Sequence, residues 1–266
     1  MNYKIVFLDM DGTLYQTEND IIQQANLDAI NELRKQGVLV CAATGRPLNQ
    51  MKLILERIKF DYMVLINGGY VLDKEQRLLY ENPLKSETTD EIVSWCNTNK
   101  SGLMFHFGDS SYIYNNFYPM YYFCRDHHVL DYLFYDENLS YHKRHNAYNA
   151  VLMTKEKKKV DAFINSHDEL RSDLIEISQD HFCFDIFNAG NDKSVGIEQV
   201  LKKENLSWKD CVCFGDSTND IQMLKKAGLG IAMGNANDYV KSFADKVTAN
   251  VYDEGVAQGL KKAFDI

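Results

Sequence analysis

Short apolar runs alternate with amphipathic stretches over the first eighty residues. Ile5 to Leu8, Val38 to Ala43 and Met63 to Ile66 read as buried strands, each apolar, compact and bounded by turn residues. Helical patterns lie between them, roughly Asp20 to Gln36 and Pro47 to Ile58. Gly37 stops the first, and Pro47 opens the second at a position where a missing N–H costs little. Val71-Leu72-Asp73 and Leu78-Leu79-Tyr80 make a hairpin. The alternation returns after residue 190, with a helix near Ser194 to Asn205, a strand over Cys211 to Phe214, a helix after Asn219 and a short strand over Gly230 to Met233. Strands alternating with helices predict a parallel sheet with helical crossovers.

The middle of the chain has a different rhythm. Leu103 to Phe107, Tyr112 to Tyr114, Ala150 to Met153, Leu174 to Ile177 and Cys183 to Phe187 are shorter, strand-like stretches. Helical patterns occur only near Thr89 to Asn99 and Lys155 to Ser166. This composition predicts an inserted, mostly antiparallel α+β domain over 83–186, entered at Pro83, between the two parts of an α/β domain at 1–82 and 187–266. Fourteen of the 32 aromatic residues fall between Phe105 and Tyr148, enough to give the insertion its own small core, with some tyrosines left to line a pocket.

The strand ends carry the chemistry. Asp9-Met10-Asp11-Gly12-Thr13 follows the first strand, at the edge where open α/β sheets bind ligands. Two acids one residue apart can serve one centre if the backbone turns, which Gly12 permits. A surface Asp-Gly turn would look the same, so the other strand ends decide. The second ends in Thr44-Gly45-Arg46, a hydroxyl and free N–H groups suited to an anionic oxygen, or else a plain βα turn. The later strand ends in Gly215-Asp216-Ser217-Thr218-Asn219-Asp220, where helix capping accounts for Ser217, Asn219 or Asp220 but not also for Asp216. Lys193 lies close to the start of the preceding helix, where a lone lysine is usually surface charge. A phosphate beside Asp9, Asp11, Asp216 and Asp220 would be repelled by about 4 kcal/mol per charge pair at 4 Å, so the acids require cations. Oxygen-only ligands favour Mg²⁺ over Zn²⁺, with Lys193 as a fixed positive partner.

Charge and composition narrow the class further. A net charge of -9 over 266 residues disfavours nucleic acid and anionic membranes as partners. The two short basic clusters, His142 to His145 and Lys155 to Lys159, read as solvated faces. No apolar run approaches the roughly eighteen residues of a membrane span, and Met1-Asn2-Tyr3-Lys4 leads into the first strand without the features of a signal peptide. The six cysteines show no CxxC spacing and read as reduced core thiols, which predicts a cytoplasmic protein. The seven histidines form no metal-ligand pair; His127 and His128 are adjacent and would face apart.

Taken in order, Asp9-Met10-Asp11-Gly12-Thr13-Leu14, Thr44, Lys193 and Gly215-Asp216-Ser217-Thr218-Asn219-Asp220 make the chain resemble the haloacid dehalogenase (HAD) superfamily of aspartyl-phosphate-forming hydrolases. The resemblance spans the whole chain. The insertion between Thr44 and Lys193 looks like a C2-type cap, and Ile66-Asn67-Gly68-Gly69 points to the Cof-type branch. The resemblance implies a Rossmann-like parallel-sheet core and a cap that governs substrate choice by closing over the site. It implies a Mg²⁺-dependent phosphatase for monoesters of small metabolites, sugar phosphates or phosphorylated cofactors. By the same resemblance Asp9 is the nucleophile and Asp11 the acid and base. Met10, Thr44, Gly45, Lys193 and Asn219 hold the phosphate. Asp9, Asp11, Asp216 and Asp220 serve the metal, Asp220 directly, through water or through Lys193. Arg46 fits a helix-start ion pair, and the tyrosine-rich stretch and residues 127–144 fit contacts to the leaving group. Lys193-Ser194 replaces a commoner Lys-Gly, and Met10 a commoner Leu, without loss of a functional group. Within the superfamily, a phosphosugar mutase shares these motifs; a silent binding protein has no need of Asp11. Gly190-Asn191-Asp192-Lys193-Ser194 lacks the glycine spacing of a P-loop, and Gly228, Gly230 and Gly234 miss the dinucleotide spacing. The oligomeric state is not legible.

Overall fold

The computed structural model describes residues 3–126, 130, 132–177 and 181–266; His127 and His128 lie outside these. The chain runs β1 (Ile5–Leu8), α1 (Gln24–Lys35), β2 (Leu39–Ala43), α2 (Lys52–Leu55), β3 (Tyr62–Leu65), β4 (Tyr70–Asp73) and β5 (Leu78–Glu81). It continues through α3 (Ser86–Asn99), β6 (Gly102–Phe107), β7 (Ser110–Asn115), α4 (Phe117–Asp126), β8 (Leu133–Tyr135), β9 (Ala147–Thr154), α5 (Lys157–Asn165), β10 (Leu170–Ile177) and β11 (Phe182–Asn188). It ends with α6 (Lys193–Glu204), β12 (Cys211–Gly215), α7 (Ile221–Lys226), β13 (Leu229–Ala232), α8 (Asp238–Lys241), β14 (Lys246–Val247) and α9 (Gly255–Phe264). Two compact units result, one formed by residues up to 46, 53–81 and 192–266, the other by 47–52 and 82–191.

The first unit is an α/β sheet in the order β14-β13-β12-β1-β2-β3-β4-β5. β14 through β3 pair in parallel, and the β4–β5 hairpin closes one edge antiparallel. All four residues of β1 are fully buried, as a central parallel strand covered on both faces requires. On one face Ile5, Phe7, Cys41 and Val64 pack with Ile197, Val200 and Leu201 of α6. Cys211 and Cys213 share that face with Sγ atoms 3.9 Å apart, and all six cysteines are buried thiols outside any disulfide. Elsewhere in this unit α1 packs beside α9.

The second unit is a six-stranded sheet, β10-β11-β9-β6-β7-β8, antiparallel except for β7 and β8. It reaches Asn191, five residues past the expected boundary at 186. β11 pairs with both β9 and β10, and Asn191 Nδ2 donates to the Asn82 carbonyl at 3.1 Å. Residues 47–52 also join it, because Leu48 N donates to the Gly108 carbonyl at 3.3 Å and Asn49 Nδ2 to Ser111 Oγ at 3.1 Å. The helix expected from Pro47 to Ile58 is correspondingly cut to a 3₁₀ turn, Leu48–Met51, and one α turn.

The aromatic-rich stretch divides. Phe105, Phe107 and Tyr114 enter the core, whereas Tyr118, Tyr122, Tyr132, Phe134 and Tyr135 are exposed on α4 and around β8. His142 departs from the solvated reading of its cluster: it is buried, its Nδ1 lies 3.0 Å from Tyr114 Oη and its Nε2 2.9 Å from Asp90 Oδ1. Among the described residues no helix is long and apolar enough to cross a membrane.

Candidate active site

Because β1, β2, β3, β12 and β13 run parallel, their C-terminal ends share one edge of the first unit's sheet. Asp9 follows β1, Thr44 follows β2, Asn67 lies two residues past β3, Asp216 follows β12 and Asn235 lies three past β13. Gly12 makes the first of these ends a tight turn. Its φ is +78°, and an added Cβ would lie 2.5 Å from Asp216 Oδ2, so neither the conformation nor the space suits another residue.

A buried charge cluster forms the centre. Lys193, the first residue of α6 and 1% exposed, donates from Nζ to Asp9 Oδ1 and to Asp220 Oδ1, both at 2.6 Å. Asp220 Oδ2 accepts the N–H groups of Asp216 and Ser217, each at 2.9 Å, within a capping box shared with Ser217. Asp220 thus caps the turn with one oxygen and pairs with the Lys193 ammonium through the other. Asp216 accepts from Thr13 Oγ1 and from Asn235 Nδ2, both at 3.2 Å.

Three carboxylates and one ammonium leave a net negative cluster. Burial, then the neighbouring Asp220, push the Asp9 carboxyl up against the pull of Lys193. The same two causes take Asp216 up to about 6. Burial opposes the charge on Lys193, but Asp220 and Asp9 outweigh it and hold the ammonium above the ordinary lysine range. Ligand oxygens of Asp9, Asp216 and Asp220 all lie within 4.8 Å of one another. An oxygen-only set with surplus negative charge fits a hard divalent cation such as Mg²⁺. Asp220 already accepts an ammonium and two backbone N–H groups, more than the two neutral donors on Asp216, which leaves Asp9 and Asp216 the more available of the three.

Asp11 is not part of that carboxylate group. Its oxygens accept from Arg46 Nε at 2.8 Å, Arg46 Nη2 at 2.6 Å and Thr17 Oγ1 at 2.7 Å. Arg46 thus belongs to Asp11 rather than to a helix start, since no regular helix begins beside it. In the turn itself the Met10 carbonyl accepts the N–H groups of Thr13 and Tyr15. Thr44 Oγ1 accepts the Arg46 N–H at 3.1 Å. Gly45 lies beside the Asn67 amide, and a Cβ there would sit 3.4 Å from both amide heteroatoms, an ordinary contact. Asn219 Nδ2 donates to Asn67 Oδ1 at 3.0 Å. Ile66, Asn67 and Gly68 all take positive φ, of 48°, 49° and 89°. For a β-branched residue this is strained, and such strain is concentrated at functional turns.

The site thus gathers Asp9, Lys193, Asp216 and Asp220 closely, sets Asn219 on Asn67, and holds Asp11 aside on Arg46. Sequence reasoning gave no role to Thr13, Thr17, Asn67 or Asn235. Applying the strand-end rule to every parallel strand, β3 and β13 included, would have found the two asparagines.

A buried lysine bridging Asp9 and Asp220 at the carboxyl edge of a parallel sheet, with Asp216 beside them, is a charge arrangement that could hold a cation. Comparison with known proteins gives the class: the chain belongs to the haloacid dehalogenase-like hydrolases, whose family profile matches residues 6–260. It is 30% identical over 273 residues to the 5-amino-6-(5-phospho-D-ribitylamino)uracil phosphatase YcsE of Bacillus subtilis, covering 98% of this chain and 96% of that protein. It is 29% identical to the HMP-PP phosphatase of Yersinia pestis, over 90% and 86% of the two chains. A hypothetical protein from Geobacillus kaustophilus superposes with a TM-score of 0.88 at 30% identity, over 99% of this chain and all of that one. Phosphatases of this superfamily generally use Mg²⁺.

Proposed function

We propose that this hydrolase releases phosphate from monoesters of small metabolites through a covalent phosphoryl-Asp9 intermediate. The observation that carries the reading is the Lys193 ammonium bonded to both Asp9 and Asp220 at the sheet edge, with Asp216 within ligand reach. An Asp9 oxygen attacks phosphorus and the bond to the ester oxygen breaks, while Asp11 gives its proton to that oxygen. Asp11, then a carboxylate, takes a proton from water as the water oxygen attacks the acyl phosphate. The bond to Asp9 breaks, phosphate leaves and both aspartates are restored.

Lys193, Thr44, Asn219 and the Met10 and Gly45 N–H groups hold the phosphoryl oxygens in line. Asp220 keeps Lys193 charged and aimed. The Asp9 and Asp216 carboxylates and the Asp11 carbonyl would hold Mg²⁺, which when bound would supply positive charge that offsets the phosphoryl oxygens. The second unit acts as the cap that selects the leaving group. Six buried thiols outside any disulfide suit a reducing compartment, and we place the enzyme in the cytoplasm.

The test is a panel of sugar phosphates, nucleotides and phosphorylated cofactors with Mg²⁺, followed by acid quench and mass analysis of the peptide containing Asp9. Phosphate release with a phosphorylated Asp9 peptide is the expected result. A product bisphosphate would indicate a mutase, and no turnover across the panel would indicate a binding protein.

A further inference from the structure

We propose that Asn235 is a positioning residue for the cation site, its side-chain amide fixing the Asp216 carboxylate and the Gly12 carbonyl in the arrangement that Mg²⁺ requires. This rests on the reading of Asp216 as a metal ligand. Asn235 Nδ2 donates to the Gly12 carbonyl at 2.8 Å and to Asp216 Oδ2 at 3.2 Å, and its Oδ1 accepts the Val251 N–H at 2.9 Å. That last bond settles the orientation of the amide. A backbone N–H can be accepted only by oxygen, so the nitrogen has to face the carboxylate and the carbonyl, both of which can only accept.

The other oxygen of Asp216 is held independently, by Thr13 Oγ1 at 3.2 Å. Each carboxylate oxygen thus has one neutral donor from a different strand end, and the remaining lone pairs stay available to a cation. Neutral donors orient the group without competing for its charge, as a second ammonium would. Gly12 directly follows Asp11, so the same amide also steadies the turn that carries the Asp11 carbonyl. The loop behind Asn235 is itself anchored. Gln16 Nε2 donates to the Val251 carbonyl at 3.0 Å and Gly234 N to the Ala249 carbonyl at 3.0 Å. Asn235 therefore joins the ends of β1, β12 and β13 through one planar group. Hydrogen-bonding partners of metal ligands commonly contribute ten- to hundredfold in metal affinity.

The experiment is calorimetric titration of Mg²⁺ into the full chain, with melting temperatures read in EDTA and in Mg²⁺. Asn235→Ala is expected to weaken Mg²⁺ binding by about tenfold or more and to shrink the Mg²⁺-dependent rise in melting temperature. Asn235→Ser, whose side chain cannot span to Asp216, gives the same result and serves should the alanine variant fail to fold. Asn237→Ala is the control from the same loop: its Oδ1 accepts the Val240 N–H at 2.9 Å as the cap of α8. It should lower the melting temperature in EDTA while leaving Mg²⁺ affinity within about twofold. Equal weakening by the Asn235 and Asn237 variants, or unchanged affinity in the Asn235 variants, overturns the inference. A parent chain that binds no Mg²⁺ overturns instead the cation reading on which it rests.

Discussion

Arg46 grips both oxygens of Asp11, Nε donating to Oδ2 at 2.8 Å and Nη2 to Oδ1 at 2.6 Å, while its guanidinium carbon lies 5.1 Å from the centre of the Tyr15 ring. Burial pushes the Asp11 carboxyl up, but the bonds from Arg46, reinforced by Thr17, outweigh it and hold Asp11 below the usual carboxylate range. In the proposed mechanism this ionised form suits the water-activating half, in which Asp11 takes the proton.

Replacing Arg46 should therefore act on proton transfer. Arg46→Met is expected to slow breakdown of the phosphoryl-enzyme, by up to the roughly 10²–10⁴-fold that a positioned acid or base contributes. That step is shared by all esters, so alkyl and aryl phosphates should both lose kcat. Steady-state kcat for matched alkyl and aryl esters makes the comparison, and a loss confined to alkyl esters would place the effect of Arg46 on leaving-group protonation instead.

Asp9 and Asp220 both bond Lys193, yet their removal should have opposite consequences. Asp9→Asn leaves the ammonium paired with Asp220, so the fold should hold while turnover falls by about a thousandfold or more. Asp220→Ala removes the group that also accepts two backbone N–H bonds at the end of β12. Breaking a fully buried pair from one side costs about 3–5 kcal/mol. Urea melts of the two variants beside the parent separate the roles: a strongly destabilised Asp9→Asn or a native-like Asp220→Ala would contradict the assignment.

The alternating pattern before residue 80 and after 190 was enough to lay out the parallel sheet, because its strands are buried on both faces and read as unbroken apolar runs. Less was legible in the inserted unit. Phe117 to Asp126 forms α4 although its tyrosines give no clean polar face, and Leu133–Tyr135 is too short a run to announce β8. Asp20 to Gln23 was expected inside the first helix but precedes it, since Asp20 has φ 53° and Ile21 bridges back to Gln16. At the site, Asp9, Thr44 and Asp216 were visible as polar groups at strand ends. Asn235 was not, because it lies three residues past a short strand whose end carries no charged group to draw attention to it. Arg46 was visible, but its partner depended on Pro47 starting a regular helix, which it does not.

Gly12→Ala tests how tightly the first turn and Asp216 are fitted. A positive φ costs an L-residue about 1–2 kcal/mol, and the new methyl would meet Asp216 Oδ2 at 2.5 Å. The carboxylate has to move, away from Thr13 and Asn235. The expected outcome is a lower melting temperature together with a higher Mg²⁺ concentration for half-maximal activity. A drop in melting temperature with an unchanged Mg²⁺ requirement would show that Asp216 can shift without leaving its ligand position.

Asp185, in β11 of the second unit, should make stability depend on pH. Burial pushes its carboxyl up to about 7, against the hydrogen bond from Asn149. An acid whose folded value lies above its unfolded value of about 4 binds more protons in the native state between those limits. Stability attributable to this residue is thus greatest below about pH 4, falls as pH rises through 7, and carries its full penalty above that. The penalty is at most about 4 kcal/mol, and less because Asp185 is partly exposed. Asp185→Asn keeps an oxygen for Asn149 and removes the charge. It should raise the melting temperature relative to the parent clearly at pH 8 and little at pH 5. An equal difference at both pH values would mean that Asp185 is not the group responsible, and a lower melting temperature at pH 8 would mean that its charge stabilises the sheet.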